Sequence, residues 1–217
     1  MTEPRRGRPR TPLLSRESIV TATLRVIDAD GVAAVGMRSV ARALGVDAKS
    51  LYNHVDGKDG LLDAVAEQLL GGLALPEPTG DPRHDLRAIA RAFRDRALAH
   101  PGAAPLVLTR QLSSLEGLAP VDAVLAVLLA AGASPDEAVH LLRMLLATVI
   151  GTLLREVSAA PAFGGDDGAR HEVLRGSGLP AVVATAAHLA AFDREAEFEY
   201  TVDLAITAVL DRLRRAR

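Results

Sequence analysis

The sequence predicts an all-α protein, an N-terminal three-helix unit followed by a larger helical domain. Three observations carry that prediction. Alanine and leucine dominate while aromatic residues make up only 3%, a composition that suits packed helices rather than strands. Apolar residues recur three and four apart along successive stretches. Each stretch is bracketed by residues that start helices (Ser, Asp, Pro) or stop them (Gly). With 49% of its 217 residues apolar, the chain can bury a sizeable core and is not a disordered one.

The chain opens on Arg5-Arg6-Gly7-Arg8-Pro9-Arg10, bracketed by prolines at 4, 9 and 12. Proline and glycine deny this stretch a helix, so residues 1–14 read as an extended basic arm. Ser15 is a good N-cap for a helix from Arg16 to about Asp30, with Glu17 in its first turn. Ile19, Ala22, Val26 and Ile27 form the inward stripe, and Gly31 ends the helix.

Two short helical patterns follow and meet at Gly45. Val40, Ala41 and Leu44 mark the first, Leu51 and Val55 the second. A sharp stop after Leu44 needs a residue tolerant of positive φ, which glycine supplies. Val46 can plug the angle from inside. The second helix exposes Lys49, Ser50, Tyr52, Asn53 and His54, which donate hydrogen bonds or stack, and none is acidic. This layout predicts a helix-turn-helix whose second helix enters the DNA major groove. Lys58 opens a further helix carrying Leu61, Leu62, Val65, Leu69 and Leu70. Gly71-Gly72 and the segment 75–80 break the pattern, so the first domain spans 15–72 and the second 81–217.

Asp81-Pro82 starts the second domain with a cap and a proline at the first helical position, and the helix runs to about His100. A short helix near 104–109 follows, then one capped by Ser114 that ends near Gly132. Ser134-Pro135-Asp136-Glu137 launches a helix to about Val157 that is apolar on nearly every side. Such a helix is expected to pack internally on one side and against a second subunit on another. Residues 158–178 read as a loop with at most a helical turn near 170–175. Pro180–Phe192 and Glu195–Arg214 read as the last two helices. Phe198, Val202, Ala205, Val209 and Leu213 form the stripe of the final one, and together with the helix near 135–157 it is the expected homodimer seam. Charged substitutions at Val202 and Val209 are expected to give monomers.

Charge is polarised along the chain. Residues 1–60 hold ten Lys/Arg against seven Asp/Glu, and the remainder fifteen against twenty. A basic end on an acidic body suits an anionic polymer gripped at one end. The chain has no cysteine, which excludes disulfides, thiolate metal sites and a cysteine nucleophile. No signal-like opening or bilayer-length apolar run stands out, so the expectation is a cytoplasmic protein without a membrane partner. There is no Gly-x-Ser-x-Gly elbow, no Gly-x-Gly-x-x-Gly and no Walker loop, so an enzyme is not expected.

Residues 15–70 resemble the N-terminal domain of tetracycline-repressor-like (TetR family) regulators. The matching stretches are Ile19–Ile27, Gly31-Val32, Met37–Val46, Ser50-Leu-Tyr-Asn-His-Val55 and Lys58-Asp-Gly-Leu-Leu-Asp63. Met37 departs from the family's usual Thr or Ser cap. More loosely, Phe93–Gly102, Gly132–Ala138 and Phe198–Leu204 resemble the family's effector domain. The resemblance implies a homodimer on double-stranded, palindromic operator DNA, released by a small effector; a constitutive or activating regulator is the alternative. The histidines that hold drug and magnesium in tetracycline repressors are not evident, since Ala74 and an apolar stretch around Leu106 stand near their places. Tetracycline is therefore not the expected effector.

The expected DNA contacts follow. Arg38 and Lys49 can reach guanine, and Ser50 a base or a thymine methyl. Tyr52, His54 and Lys58 match family positions that hold phosphates, while Ala48 and Asn53 complete the recognition surface. Arg5, Arg6 and Arg8 resemble an AT-hook, whose arginines lie along a narrow minor groove. For the effector, the polar residues set among apolar neighbours are His100, Gln111, His140, Met144, Thr148 and Thr152; the last four share one helical face. No histidine pair has metal spacing, so neither metal nor cofactor is expected.

Overall fold

A computed structural model describes residues 14–109, 116–157 and 166–215. Among these, every regular element is helical. The N-terminal helices are α1 (Arg16–Asp30), α2 (Met37–Leu44), α3 (Ala48–Leu51) and α4 (Gly57–Gly71). The larger part contains α5 (Pro82–Ala99), α6 (Ala104–Thr109), α7 (Ala119–Ala130), α8 (Pro135–Val157), α9 (Asp167–Arg175), α10 (Pro180–Ala190) and α11 (Arg194–Arg215).

Capping chemistry sets where these helices begin and end. Ser15 Oγ accepts from the Ser18 N–H at 3.1 Å, and Ser18 Oγ accepts in return from the Ser15 N–H at 3.0 Å. Two free N-terminal donors of α1 are thereby satisfied, with serine where a capping box usually has Glu or Gln. α2 starts at Met37 without a capping side chain before it. Ser39, one turn in, compensates: its Oγ accepts from the Gly36 N–H at 3.0 Å and donates toward the Ala34 carbonyl at 2.9 Å. Gly45 stands at φ 69°. The Val46 N–H reaches the Ala41 oxygen at 3.0 Å and the Gly45 N–H the Arg42 oxygen at 3.2 Å, the Schellman closure that positive φ permits.

The N-terminal core joins Ile19, Ile27, Val40, Leu51, Leu61, Val65 and Leu69. It does not close at Gly72. Ala103 and Leu106 complete it from the start of α6, so α6 belongs to the core of the first unit as well as to the second. The close approach depends on Gly102, where a Cβ would come within 3.2 Å of the Ile27 side chain and carbonyl oxygen.

The second core holds Leu86 of α5, Leu128 of α7, Leu142 and Leu153 of α8, and Phe198, Val202, Ile206 and Val209 of α11. Here the structure corrects which face of α11 is available to a subunit seam. Val202 is 3% and Val209 0% exposed, because the stripe of α11 faces its own chain's α5 and α8. The opposite face of α11 leaves Tyr200 and Leu204 70% and 59% exposed. α8 is long and apolar enough to cross a bilayer by length and composition, yet it packs Leu142 and Leu153 into this core.

An antiparallel charge ladder fixes α5 to α11. Arg83 reaches Asp203 at 2.8 Å and Thr207 at 2.9 Å, Arg87 pairs with Asp203, and Arg91 reaches Glu199 at 2.7 Å. Arg94 donates twice to Glu156 of α8 (3.0 and 2.6 Å), pairs with Glu195, and lies over the Phe198 ring. Hydrogen bonding to Arg91 holds the Glu199 carboxyl below its ordinary range.

Two local expectations change. Glu137 stands where it could complete the cap of α8, and Ser134 Oγ does accept from its N–H at 3.3 Å. The Glu137 carboxylate instead takes Arg212 at 2.7 Å, since an arginine outcompetes a backbone amide for a carboxylate. Within the expected loop at 158–178, residues 167–175 form α9, capped by Asp166, which accepts from the Ala169 N–H at 2.8 Å. α9 and α10 share a small core of Leu174, Ala186 and Ala190. The Ser114 cap lies outside the described residues, and α7 starts instead after a 3-10 turn at Glu116–Leu118.

Candidate nucleic-acid interface and apolar cavity

The exposed surface of the helix-turn-helix is built on two buried anchors, Leu51 at 0% and Val55 at 7% exposure. Asp47 starts α3 by accepting from the Lys49 N–H at 2.7 Å. α3 proper is a single turn, and the chain continues through tighter turns in which the His54 and Val55 N–H groups both reach the Leu51 oxygen. With Leu51 and Val55 inward, Lys49, Tyr52, Asn53 and His54 are left facing solvent. Arg38 is exposed on the first turn of α2, and Lys58 on the first turn of α4, its Nζ 3.4 Å from the Ala33 oxygen. Ser50 is half-buried. Ala48 is half-buried too and packs against the N-terminal core, so its methyl supports α3 from beneath. Arg5, Arg6 and Arg8 lie outside the described residues.

A cavity of about 230 Å³ opens in the second domain. Its walls include Leu86 and Phe93 of α5, Val121 of α7, Leu146 and Val149 of α8, and Ile206 of α11. Leu70 of α4 and Val107 of α6 line it as well.

None of the described polar residues expected at a ligand site lines this cavity. His140 is exposed, 3.8 Å from Asp136 one turn back. Thr148 donates to the Met144 oxygen at 2.9 Å and Thr152 to the Thr148 oxygen at 3.0 Å, so both hydroxyls are taken up by their own helix. Met144 packs half-buried against the second core. The face carrying His140, Met144, Thr148 and Thr152 and the face lining the cavity are different sides of α8. Spacing identifies a face of a helix but not what it meets. His100 sits at the end of α5, its Nδ1 3.2 Å from Asp28 of α1. Gln111 is outside the described residues. The residues that do line the cavity are apolar and gave no polar signal; the helical spacing of Leu86, Ile89 and Phe93 is the sequence signal that could have found that side of α5.

The chain between the two units is tied at both ends. Arg96 of α5 donates to the carbonyl oxygens of Leu69 (3.1 Å) and Gln68 (3.3 Å), capping the end of α4 from outside. Gly72 leaves room for it: a Cβ there would stand 2.8 Å from the Arg96 guanidinium. At the other end, buried Asp85 accepts from the Thr79 hydroxyl (2.6 Å) and from the N–H groups of Thr79 (2.9 Å) and Gly80 (3.1 Å).

Residues 75–212 match the model of the tetracyclin repressor-like C-terminal domain, and residues 19–65 match that of the bacterial regulatory proteins of the tetR family. The chain belongs to the TetR family. Members of the family are DNA-binding transcriptional regulators and not enzymes. An HTH-type transcriptional regulator of Saccharopolyspora erythraea is 40% identical over 122 residues, 56% of this chain and 52% of that one. The class A tetracycline repressor from Escherichia coli is 31% identical over 146 residues, 66% of this chain and 67% of the repressor. The match spans about half the length of the first of these relatives, 52%. Among solved structures, apo ActR from Streptomyces coelicolor superposes with a TM-score of 0.83 at 26% identity, covering 94% of this chain and 98% of ActR. ActR in complex with actinorhodin gives 0.80 at 27%, covering 92% and 96%. The TetR-type fold of this chain therefore extends over both units.

Proposed function

We propose that this TetR-family chain is a repressor that binds a palindromic operator as a homodimer and is released by a small, mostly apolar effector. The observation that carries the reading is that Leu70 of α4 and Val107 of α6 line the cavity together with the second-domain helices. α4 also contributes Leu61, Leu62, Val65 and Leu69 to the core under the helix-turn-helix. A molecule in the cavity thus presses on a helix of the core in which Leu51 of α3 is anchored. The ActR complex with actinorhodin supports a small-molecule site in this fold.

In this reading residues 1–14 are a basic arm, 15–72 the DNA-binding unit and 81–217 the effector and dimerisation unit, with α6 shared. DNA contacts fall to Arg38, Lys49, Ser50, Tyr52, Asn53, His54 and Lys58, with Arg5, Arg6 and Arg8 reaching out from the arm. The exposed apolar face of α11, with Tyr200 and Leu204, supplies the subunit seam together with α8. A two-fold dimer matches a palindrome, with its recognition helices one groove repeat apart.

A ligand switches DNA binding only through its differential affinity for two conformations. A difference of about 3 kcal/mol lowers operator affinity more than a hundredfold. The test is to saturate the protein with the best ligand from a thermal-shift screen and titrate operator DNA. Ala90→Phe, which fills the cavity wall, should abolish the ligand response and keep operator binding. If cavity-bound ligands leave operator affinity unchanged, the protein is a constitutive binder.

A further inference from the structure

A second concavity lies beside the first along α5. It is a groove of about 780 Å³ between the 76–80 linker, the start of α5, α7 and the end of α11. Ile89 lines both this groove and the first cavity, so the two adjoin at that residue. Ile89, Ala126, Val127 and Leu213 give the groove apolar walls, and Pro76 and Pro78 roof it from the linker. Its volume falls in the range of small-molecule sites, which are apolar concavities with a few placed polar groups.

The polar groups here are mostly of one sign. Glu77 from the linker and Asp122 from α7 line the groove, and both are exposed. Asp85 adds a buried carboxylate, and hydrogen bonds from Thr79 keep it ionised by holding its pKa below the ordinary range. Arg214, the cation among the described lining residues, pairs with Asp211. Carboxylates above low-dielectric walls concentrate negative potential in the space between them. Apolar area and unbalanced negative charge together match one kind of occupant, an apolar body carrying a positive charge.

We propose that the groove between the linker, α5, α7 and α11 is a second small-molecule site, which takes lipophilic cations. It is separate from the effector cavity, whose described lining is apolar. An occupant rests against the segment that joins α4 to α5, at the point where Asp85 pins it. Occupancy of this groove is therefore an input to the linker in addition to that of the first cavity.

The experiment is isothermal titration calorimetry of the full chain with tetraphenylphosphonium, and with tetraphenylborate as the anion of matching size and shape. The expected result is saturable uptake of one phosphonium per chain and at least tenfold weaker uptake of the borate. Glu77→Gln with Asp122→Asn should weaken phosphonium binding about tenfold, the reach of two exposed charge pairs. Ala126→Trp, which fills the groove from an exposed position, should abolish binding, while Ala90→Phe in the first cavity leaves it intact. Circular dichroism checks that each variant keeps its helices. The proposal is overturned by no phosphonium uptake at millimolar concentration, by equal uptake of the two ions, or by loss of binding in Ala90→Phe and not in Ala126→Trp.

Discussion

Arg96 of α5 donates its Nε–H to the carbonyl oxygen of Leu69 at 3.1 Å. The last carbonyls of a helix have no partner within it. Arg96 supplies one for α4, and in doing so couples the helix that carries the DNA-binding core to the helix that walls the cavity. The glycine pair at 71–72 thus does more than interrupt a pattern, since Gly72 makes the space into which the guanidinium fits.

Removing that cap should uncouple the two units. Arg96→Ala is expected to destabilise the protein by about 1–3 kcal/mol, the range for a hydrogen bond from a charged donor. It should also shrink the ligand-induced drop in operator affinity. Gly72→Ala, which crowds the guanidinium, should act in the same direction. Urea unfolding and operator titrations with and without ligand measure both effects. Variants that lose stability but switch like the wild type would show the contact to be structural only.

Positions two residues apart on α11 should behave in opposite ways. Leu204→Glu places a charge on an exposed site and is expected to give a folded monomer that no longer holds a palindromic operator. Val202→Glu buries a charge without a partner and should cost more than about 3 kcal/mol of stability. Sedimentation velocity separates monomer from dimer, and circular dichroism separates both from an unfolded chain. A dimeric Leu204→Glu protein would move the subunit seam elsewhere.

On the DNA side, Lys49→Ala should relax the choice at particular base pairs by about 1–3 kcal/mol if it makes a bidentate contact to guanine. Lys58→Ala and removal of residues 1–10 should weaken binding on any sequence. Every phosphate left without its cation should flatten the logarithmic salt dependence by about 0.9. Titrations of operator and random DNA at several salt concentrations distinguish the two classes. Equal losses on both DNAs for Lys49→Ala would make it a phosphate contact.

Acid should loosen the linker. The Thr79 hydroxyl holds the Asp85 carboxyl below its ordinary range, and Arg91 does the same for Glu199. A carboxyl whose folded pKa lies below its unfolded one contributes fully above the unfolded value, and the contribution disappears as pH falls through the folded one. Stability should therefore decline from the ordinary carboxylate range downward. Asp85→Asn should be less stable than wild type at neutral pH, with the gap closing as pH falls below the ordinary carboxylate range. A gap of constant size across that range would rule out ionised Asp85 as its source.

The sequence by itself determined what local chemistry and periodicity can determine. Ser15, Asp81 and Ser134 sit where helices begin, because a side-chain oxygen at those places satisfies amides that nothing else reaches. Gly45 sits where one must turn, because only positive φ closes that angle. Leu51 and Val55 fixed which residues of the recognition segment face outward. That much also gave the all-α class and the DNA-binding family. The tertiary structure alone decided which face of a two-faced helix meets its own chain. The stripe of α11 turned inward because Phe198, Val202, Ile206 and Val209 are buried against α5 and α8, and Arg83, Arg87, Arg91 and Arg94 line up with Asp203, Glu199 and Glu195, residues more than a hundred positions away. The cavity likewise gathers apolar side chains from several helices, and each carries no more signal than any core residue until the helices are packed together.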